Sequence, residues 1–152
     1  MIFVTVGTDT HDFSRLLEAA DAAARGRGTV MQTGHSRYQP RHARSFPFAS
    51  NAEIALLYRK AKVIVTHAGA GSIIAALAEG KVPVVVPRRK ALGEHVDDHQ
   101  LDLARFLAAK GKVVLVEDVA ALAGALKARS RRLRRDPRLV RALDRYLRQV
   151  GA

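Results

Sequence analysis

The sequence predicts an α/β fold: a parallel sheet of about five strands with helices on both faces, followed by a basic C-terminal helix. Short apolar runs alternate with segments of helical periodicity over residues 1–126, the order expected of βαβ units. The strand segments are almost continuously apolar, as strands buried on both faces are. Glycine-rich or polar stretches follow the strands, and in such sheets ligands bind beyond the strands' carboxyl ends.

The first strand is Ile2 to Val6, stopping at Gly7-Thr8. Phe13, Leu16, Leu17, Ala20 and Ala24 then repeat at helical spacing, with Asp12 placed as N-cap. Thr29 to Gln32 reads as the second strand. Residues 34–48, with Gly34, Pro40 and Pro47, read as a long irregular loop. Asn51 is placed to cap a helix through Ala61, and Val63 to Thr66 is the third strand. A helix from Ser72 to Ala78 stops at Gly80, and Val82 to Val86 is the fourth strand. After the charged loop RRKALGEHV, Asp97 with Gln100 resembles a capping box for a helix through Lys110. Lys112 to Val116 is the fifth strand, and Asp118 to Ala128 reads as helical. Asp136-Pro137 supplies an N-cap and first-turn proline for a last helix, in which Leu139, Leu143, Tyr146, Leu147 and Val150 share a face.

At 152 residues and 48% hydrophobic content the chain has the size of one domain with a sizeable core. The formal charge is +12, which points to an acidic partner. Between Lys127 and Arg148 ten Lys or Arg stand against Asp136 and Asp144, so this segment carries most of the excess. We therefore divide the chain into a domain over 1–126 and a basic amphipathic extension over 127–152. That extension suits a closing helix, a docking surface for a partner chain, or an anionic membrane surface. With no cysteine, neither a disulfide framework nor a thiolate metal site is available. The start MIFVTVGTD lacks the features of a signal peptide, and no apolar run is long enough to span a bilayer, so a cytoplasmic location is expected.

The stretch VTHAGAGSI, residues 65–73, links a strand to a helix start. Its small residues admit a ligand to the backbone, and first-turn N–H groups with the helix dipole favour a phosphate. Ser72 adds a hydroxyl, but the lysine of a nucleotide-hydrolysing loop is missing. A tight turn needing glycine only for its backbone angles is the plain alternative. Glu94, His95, Asp97, Asp98, His99 and Gln100 crowd one loop. They suit binding of sugar hydroxyls, or a solvated loop with one cap; His95 and His99 with a carboxylate make a poor metal set, and no metal or cofactor is expected.

Taken in order, VTVGT, QTG at 32–34, THAGAGSI, GKVPVVVP and GEHVDDHQ resemble the C-terminal half of GT-B glycosyltransferases of the family 28 type. More narrowly they resemble the short catalytic subunits of two-component enzymes: the eukaryotic dolichol-linked N-acetylglucosaminyltransferase and bacterial exopolysaccharide glucuronosyltransferases. The resemblance covers about residues 1–126. It implies a Rossmann-like half of a GT-B fold that binds a UDP-sugar as co-substrate, without metal, for transfer of the sugar with inversion and release of UDP. It also implies a membrane-anchored acceptor-binding partner subunit and a lipid-linked acceptor, with this chain peripheral to the membrane through that partner. By matched position, Thr8 and the loop Gly69, Ala70, Gly71 and Ser72 approach the diphosphate, and Phe48 and Ala49 lie by the uracil. Asp98, His99 and Gln100 meet the sugar, and Gly7, Gly34, His67, Glu94 and His95 complete the expected donor-binding set. Where the family carries Glu to grip the ribose this chain has Ala75, with Glu79 one turn on as the nearest replacement. Where short bacterial subunits show His after Gly-Thr, this chain has Asp9, with His11 beyond. Either is a candidate catalytic residue, or Asp9 and Asp12 cap the first helix. Arg88, Arg89 and Lys90 would suit a sugar carboxylate, or are ordinary surface cations. Readings outside this class are a non-catalytic nucleotide-sugar binder and a basic nucleic-acid-binding module; aromatics at 5% and the lack of base-stacking signatures argue against the latter, so no nucleic-acid partner is expected.

Overall fold

The structure, a computed structural model, describes residues 1–128 together with positions 138, 141, 142, 145, 148 and 149, which are helical and exposed. The apolar face and the cap assigned to the last helix from sequence lie outside the described residues.

Six parallel strands form one sheet: β1 (Ile2–Thr5), β2 (Thr29–Gln32), β3 (Arg44–Phe46), β4 (Val63–Thr66), β5 (Val84–Val85) and β6 (Val114–Leu115). Their spatial order is β3-β2-β1-β4-β5-β6. The chain builds outward from β1 to one edge, then returns beside β1 and builds to the other. The order therefore reverses between β1 and β4, where a crevice opens beyond the strand ends.

Alternate residues of each strand enter opposite cores. Val4, Met31, Val65 and Val84 pack with Leu16, Leu17 and Ala20 of α1 (Ser14–Ala23) and Leu122 and Leu126 of α5 (Leu122–Lys127). On the other face Phe3 and Ile64 meet Tyr58 of α2 (Asn51–Lys60) and Ala76 of α3 (Ala70–Ala78). Val85 meets Ile73 and Leu77 of α3 and Leu103 and Leu107 of α4 (His99–Ala109). Among the described residues no helix is long and apolar enough to cross a membrane.

The sixth strand is a correction to the five expected. Arg44–Phe46 lies inside the stretch read as loop, because it is a three-residue edge strand with two exposed residues and no apolar run. It is identified only by its partner: Val30 aligns with Arg44 and Gln32 with Phe46.

Helix starts differ as well. Ser50, not Asn51, caps α2, its hydroxyl accepting from the Glu53 N–H while the Glu53 carboxylate accepts from the Ser50 N–H. α3 begins at Ala70, two residues earlier than expected, because Gly69 already holds the extended N-cap conformation. Asp12 does not occupy the cap position, which falls to Phe13. Its carboxylate accepts from the Ser14 hydroxyl at 2.7 Å and the Arg37 N–H at 2.8 Å, tying α1 to the following loop. The expected capping box of α4 is absent: Asp98 takes the cap position without a side-chain cap bond, Asp97 accepts from the His99 N–H, and the Gln100 amide oxygen accepts from the Arg88 N–H.

The segment leading to β3 is pinned by Asp21, a carboxylate only 1% exposed on α1. It accepts from the Tyr38 hydroxyl and the Arg41 N–H at 2.8 Å and from the His42 N–H at 3.0 Å. Burial works against the charge, but these three donors outweigh it and hold the carboxyl below its usual range. Asp21→Ala is therefore expected to cost about 2 kcal/mol or more of stability. In the same variant limited proteolysis should cut between residues 36 and 46 before the rest of the domain, read by urea unfolding and mass mapping of the first fragments.

Candidate functional site

A cleft of about 560 Å³ opens at the β1–β4 reversal, a volume suited to a nucleotide-sized ligand. Its floor is set by two polar residues that end apolar strands, Thr5 and Gln32. The Thr5 hydroxyl donates to the Gln32 side-chain oxygen. The Gln32 amide donates to the Gly7 carbonyl at 2.9 Å and the Pro47 carbonyl at 3.0 Å. One side chain thus clamps the loop after β1 to the loop after β3.

His67, the residue after β4, stands in the centre, enclosed by glycine. A Cβ at Gly7 would lie 2.4 Å from its Nε2, and one at Gly69 would lie 1.9 Å from its Cε1. No side chain larger than hydrogen fits either position beside the ring. Its Nε2 is 3.2 Å from the Ser72 hydroxyl, while Nδ1 is buried without a partner. Burial, helped by the positive charge of Arg88 and opposed by Gln100 and Asp9, lowers the His67 pKa to about 4. The ring is neutral near pH 7.

Above His67 lies the start of α3. The N–H groups of Ala70, Gly71 and Ser72 belong to the first turn and have no intrahelical acceptor; the Gly69 carbonyl accepts first from Ile73, at 3.1 Å. Gly71 is exposed, with open space where a side chain would be. The arrangement presents uncommitted donors and the positive end of a helix dipole to the cleft.

The cleft has two chemically different ends. At one, Phe48 stands 47% exposed with His35 against its ring at 5.0 Å. Ile54, Tyr58 and Ala75 continue this wall. Burial raises the Tyr58 phenol above its usual value, opposed by Ser72 and Thr66 beside it. At the other end lie Thr8, Asp9 and Gln100. The Asp9 carboxylate accepts from the His11 backbone N–H at 2.7 Å and from the ring Nδ1 at 2.6 Å. Partial burial disfavours its charge, but these bonds and the Arg88 charge prevail, so its pKa is lowered.

The structure thus brings Gly7, Thr8, Asp9, Phe48, His67, Gly69, Gly71, Ser72 and Gln100 to one cleft. Gly34 lies just behind it, where a Cβ would meet the Gly7 carbonyl oxygen at 2.8 Å, and Ala70 opens α3. Other predicted positions stand apart. His11 stacks on His95, ring centres 6.2 Å apart, on the far side of Asp9. Asp98 and His99 are exposed on the rim, where Asp98 accepts from the Lys90 N–H. Glu94 is buried and gripped by Arg15 through bonds of 2.8 and 2.9 Å. Glu79, the suggested replacement for the missing Glu, is the C-cap at the opposite end of α3 and does not line the cleft. Arg88 is no surface cation: it is fully buried, and Arg89 pairs with Glu117 at 3.5 Å. Sequence reasoning left Thr5 and Gln32 out of the site residues, Gln32 entering only through the QTG motif, and overlooked Asn51, Ile54 and Tyr58. Polar residues closing apolar strands signalled the first two; the others share one face of α2 at helical spacing.

The model of the glycosyltransferase family 28 C-terminal domain matches residues 1–135. The chain belongs to that family. A UDP-N-acetylglucosamine transferase subunit ALG13 from Eremothecium gossypii is 37% identical over 126 residues, 80% of this chain and 59% of that protein. The human protein of the same name is 30% identical over 126 residues, 72% of this chain and 10% of that protein. This family 28 domain therefore spans less than two thirds of either relative. Among solved structures, the calicheamicin glycosyltransferase CalG4 superposes with a TM-score of 0.61 at 14% identity, covering 97% of this chain and 38% of that one. MurG of Acinetobacter baumannii gives 0.56 at 21% identity, covering 82% and 40%. These structures share the fold, a Rossmann-like parallel sheet, with the family 28 domain.

His67 makes the domain acid-sensitive in a defined window. The unfolded ring takes a proton near pH 6.5, whereas the folded one does so only near pH 4. Between those values the unfolded state binds more protons, so stability falls as pH drops through the window. The loss attributable to His67 reaches about 3 kcal/mol at its lower end. His67→Asn should flatten the dependence between pH 6.5 and pH 4 by that order, measured as urea unfolding free energy against pH for both proteins.

Proposed function

We propose that this chain binds the nucleoside-diphosphate sugar donor of a glycosyltransferase and works as one half of a two-part enzyme. The observation that carries the reading is the start of α3: three uncommitted N–H groups and the Ser72 hydroxyl at the centre of the cleft, with no lysine in the loop. As the sugar is transferred, its bond to the diphosphate breaks and negative charge grows on the leaving oxygen. Fixed backbone donors and a helix dipole stabilise that charge without reorganising. We propose that transfer is metal-independent and proceeds with inversion, the acceptor hydroxyl attacking the anomeric carbon opposite the diphosphate.

The two ends of the cleft order the donor. Phe48 offers a face for the base, and Thr8, Asp9 and Gln100 offer hydrogen bonds to the sugar. With its pKa lowered, Asp9 is ionised near neutral pH and suits accepting a sugar hydroxyl better than acting as a general base, whose pKa belongs near the working pH. The base that deprotonates the acceptor is then assigned to a second chain.

UDP is the nucleotide favoured by the names of the curated relatives, and their description as a subunit supports the requirement for a partner. We propose a membrane-anchored partner and a lipid-linked acceptor on the cytoplasmic face, in exopolysaccharide or capsule assembly; this rests on the resemblance of the motifs. The basic tail would add attraction to anionic lipid. Support for a carboxylate-bearing sugar narrows to the exposed Lys90, since Arg88 is fully buried and Arg89 is paired.

Calorimetric titration with UDP-N-acetylglucosamine, UDP-glucose and UDP-glucuronate, with and without a candidate partner, tests the reading. Saturable binding that survives EDTA is expected; no heat with any of them under either condition would sink it. Gly71→Asp separates binding from folding. Its side chain enters open space, and an acidic residue in the first turn is stabilising by a few tenths to about 1 kcal/mol. The variant should melt at or above the parent temperature yet bind UDP at least about tenfold more weakly, because its carboxylate occupies and repels the phosphate position.

A further inference from the structure

We infer that the donor site does not select ribose over 2′-deoxyribose, so its substrate class extends to deoxynucleoside-diphosphate sugars. This rests on the donor reading above and on the make-up of the wall beyond the phosphate position.

A ribose joins its first phosphate through a single methylene, so its hydroxyls fall within about one helical turn of the atoms that hold that phosphate. Ala75 occupies that place. It lies three residues after Ser72, on the same face of α3 and about 5 Å further along the axis, and it lines the cleft. Opposite it stand Ile54 and Tyr58, and all three pack into one apolar cluster. Strong ribose recognition uses an Asp or Glu that accepts from the sugar hydroxyls. Among the described residues lining the cleft the one carboxylate is Asp9, at the other end and already bonded to His11. Two polar groups remain on the wall. Tyr58 is 4% exposed and turned toward Ser72 and Thr66. Asn51 is an exposed neutral amide at the start of α2, and a single bond of that kind gains little over water. Loss of the 2′-hydroxyl therefore removes no strong contact and strands no buried partner, which are the two routes to steep discrimination.

UDP and dUDP, which differ only in that hydroxyl, are the probes, titrated into the full chain at one salt concentration. The dissociation constants should lie within tenfold of each other. UDP tighter by tenfold or more would overturn the inference while leaving the donor reading intact, whereas binding of neither would overturn that reading and this one with it. Ala75→Glu supplies the missing acceptor and should move the ratio toward UDP by at least tenfold, with affinity for dUDP no better than in the parent. A ratio unchanged in a variant that still melts cooperatively and binds UDP would place the ribose away from this wall and overturn the assignment.

Discussion

The guanidinium of Arg88 lies fully buried where the end of β1, the segment after it and the loop from β5 meet. It donates to the carbonyls of Val6 at 2.8 Å, His11 at 2.9 Å and Glu94 at 3.1 Å, and lies over the Phe13 ring at 4.7 Å. A buried charge is costly unless its donors are met. Here three carbonyl dipoles, an aromatic face and the Asp9 carboxylate at 4.0 Å meet it, while its buried Nε–H is left without a hydrogen-bond partner. Those carbonyls come from segments far apart in sequence, so the one side chain sets the height of the β1 loop against the β5 loop. Arg15 extends the arrangement by holding Glu94 and the Pro87 carbonyl at 3.0 Å.

The same charge shapes the electrostatics above it. It helps to keep His67 neutral and Asp9 ionised. The centre of the cleft therefore carries no full positive charge of its own, and an anion there is met by backbone donors rather than by a lysine or an imidazolium. Such donors come from an already folded helix and need no rearrangement when charge develops, which suits the departing diphosphate proposed for this site. Glycine at positions 7 and 69 is what lets the imidazole stand between the two loops. Gln32 joins the third, so the walls of the site are linked through side chains at the sheet's edge.

Most of the architecture was legible in the residues because parallel strands buried on both faces announce themselves as apolar runs. Ile2–Thr5 and Val63–Thr66 needed nothing else. Arg44–Phe46 carried no such mark: its strand character comes from the edge of β2. Capping was harder, since Asp, Asn and Ser near a helix start compete for one position. Asp12 and Asp97 had suitable chemistry but were drawn to other backbone donors. For the site, loop position was enough to find residues following strands, such as Gly7, His67 and Ser72. Residues of α2 were hidden because Asn51, Ile54 and Tyr58 reach the cleft only after that helix packs beside α3.

By itself the sequence determined the parallel α/β class, the family and the strand-to-helix stretch whose first-turn N–H groups open on the cleft. These follow from local periodicity and from short motifs whose chemistry is carried by the backbone. Only the tertiary structure decided that Arg88 is a buried brace, that Glu94 belongs to Arg15, that Glu79 lies at the wrong end of its helix, and that Ala75 faces an apolar wall. Each of those depends on which partner a side chain finds across the fold, and residue order does not specify that distance or direction.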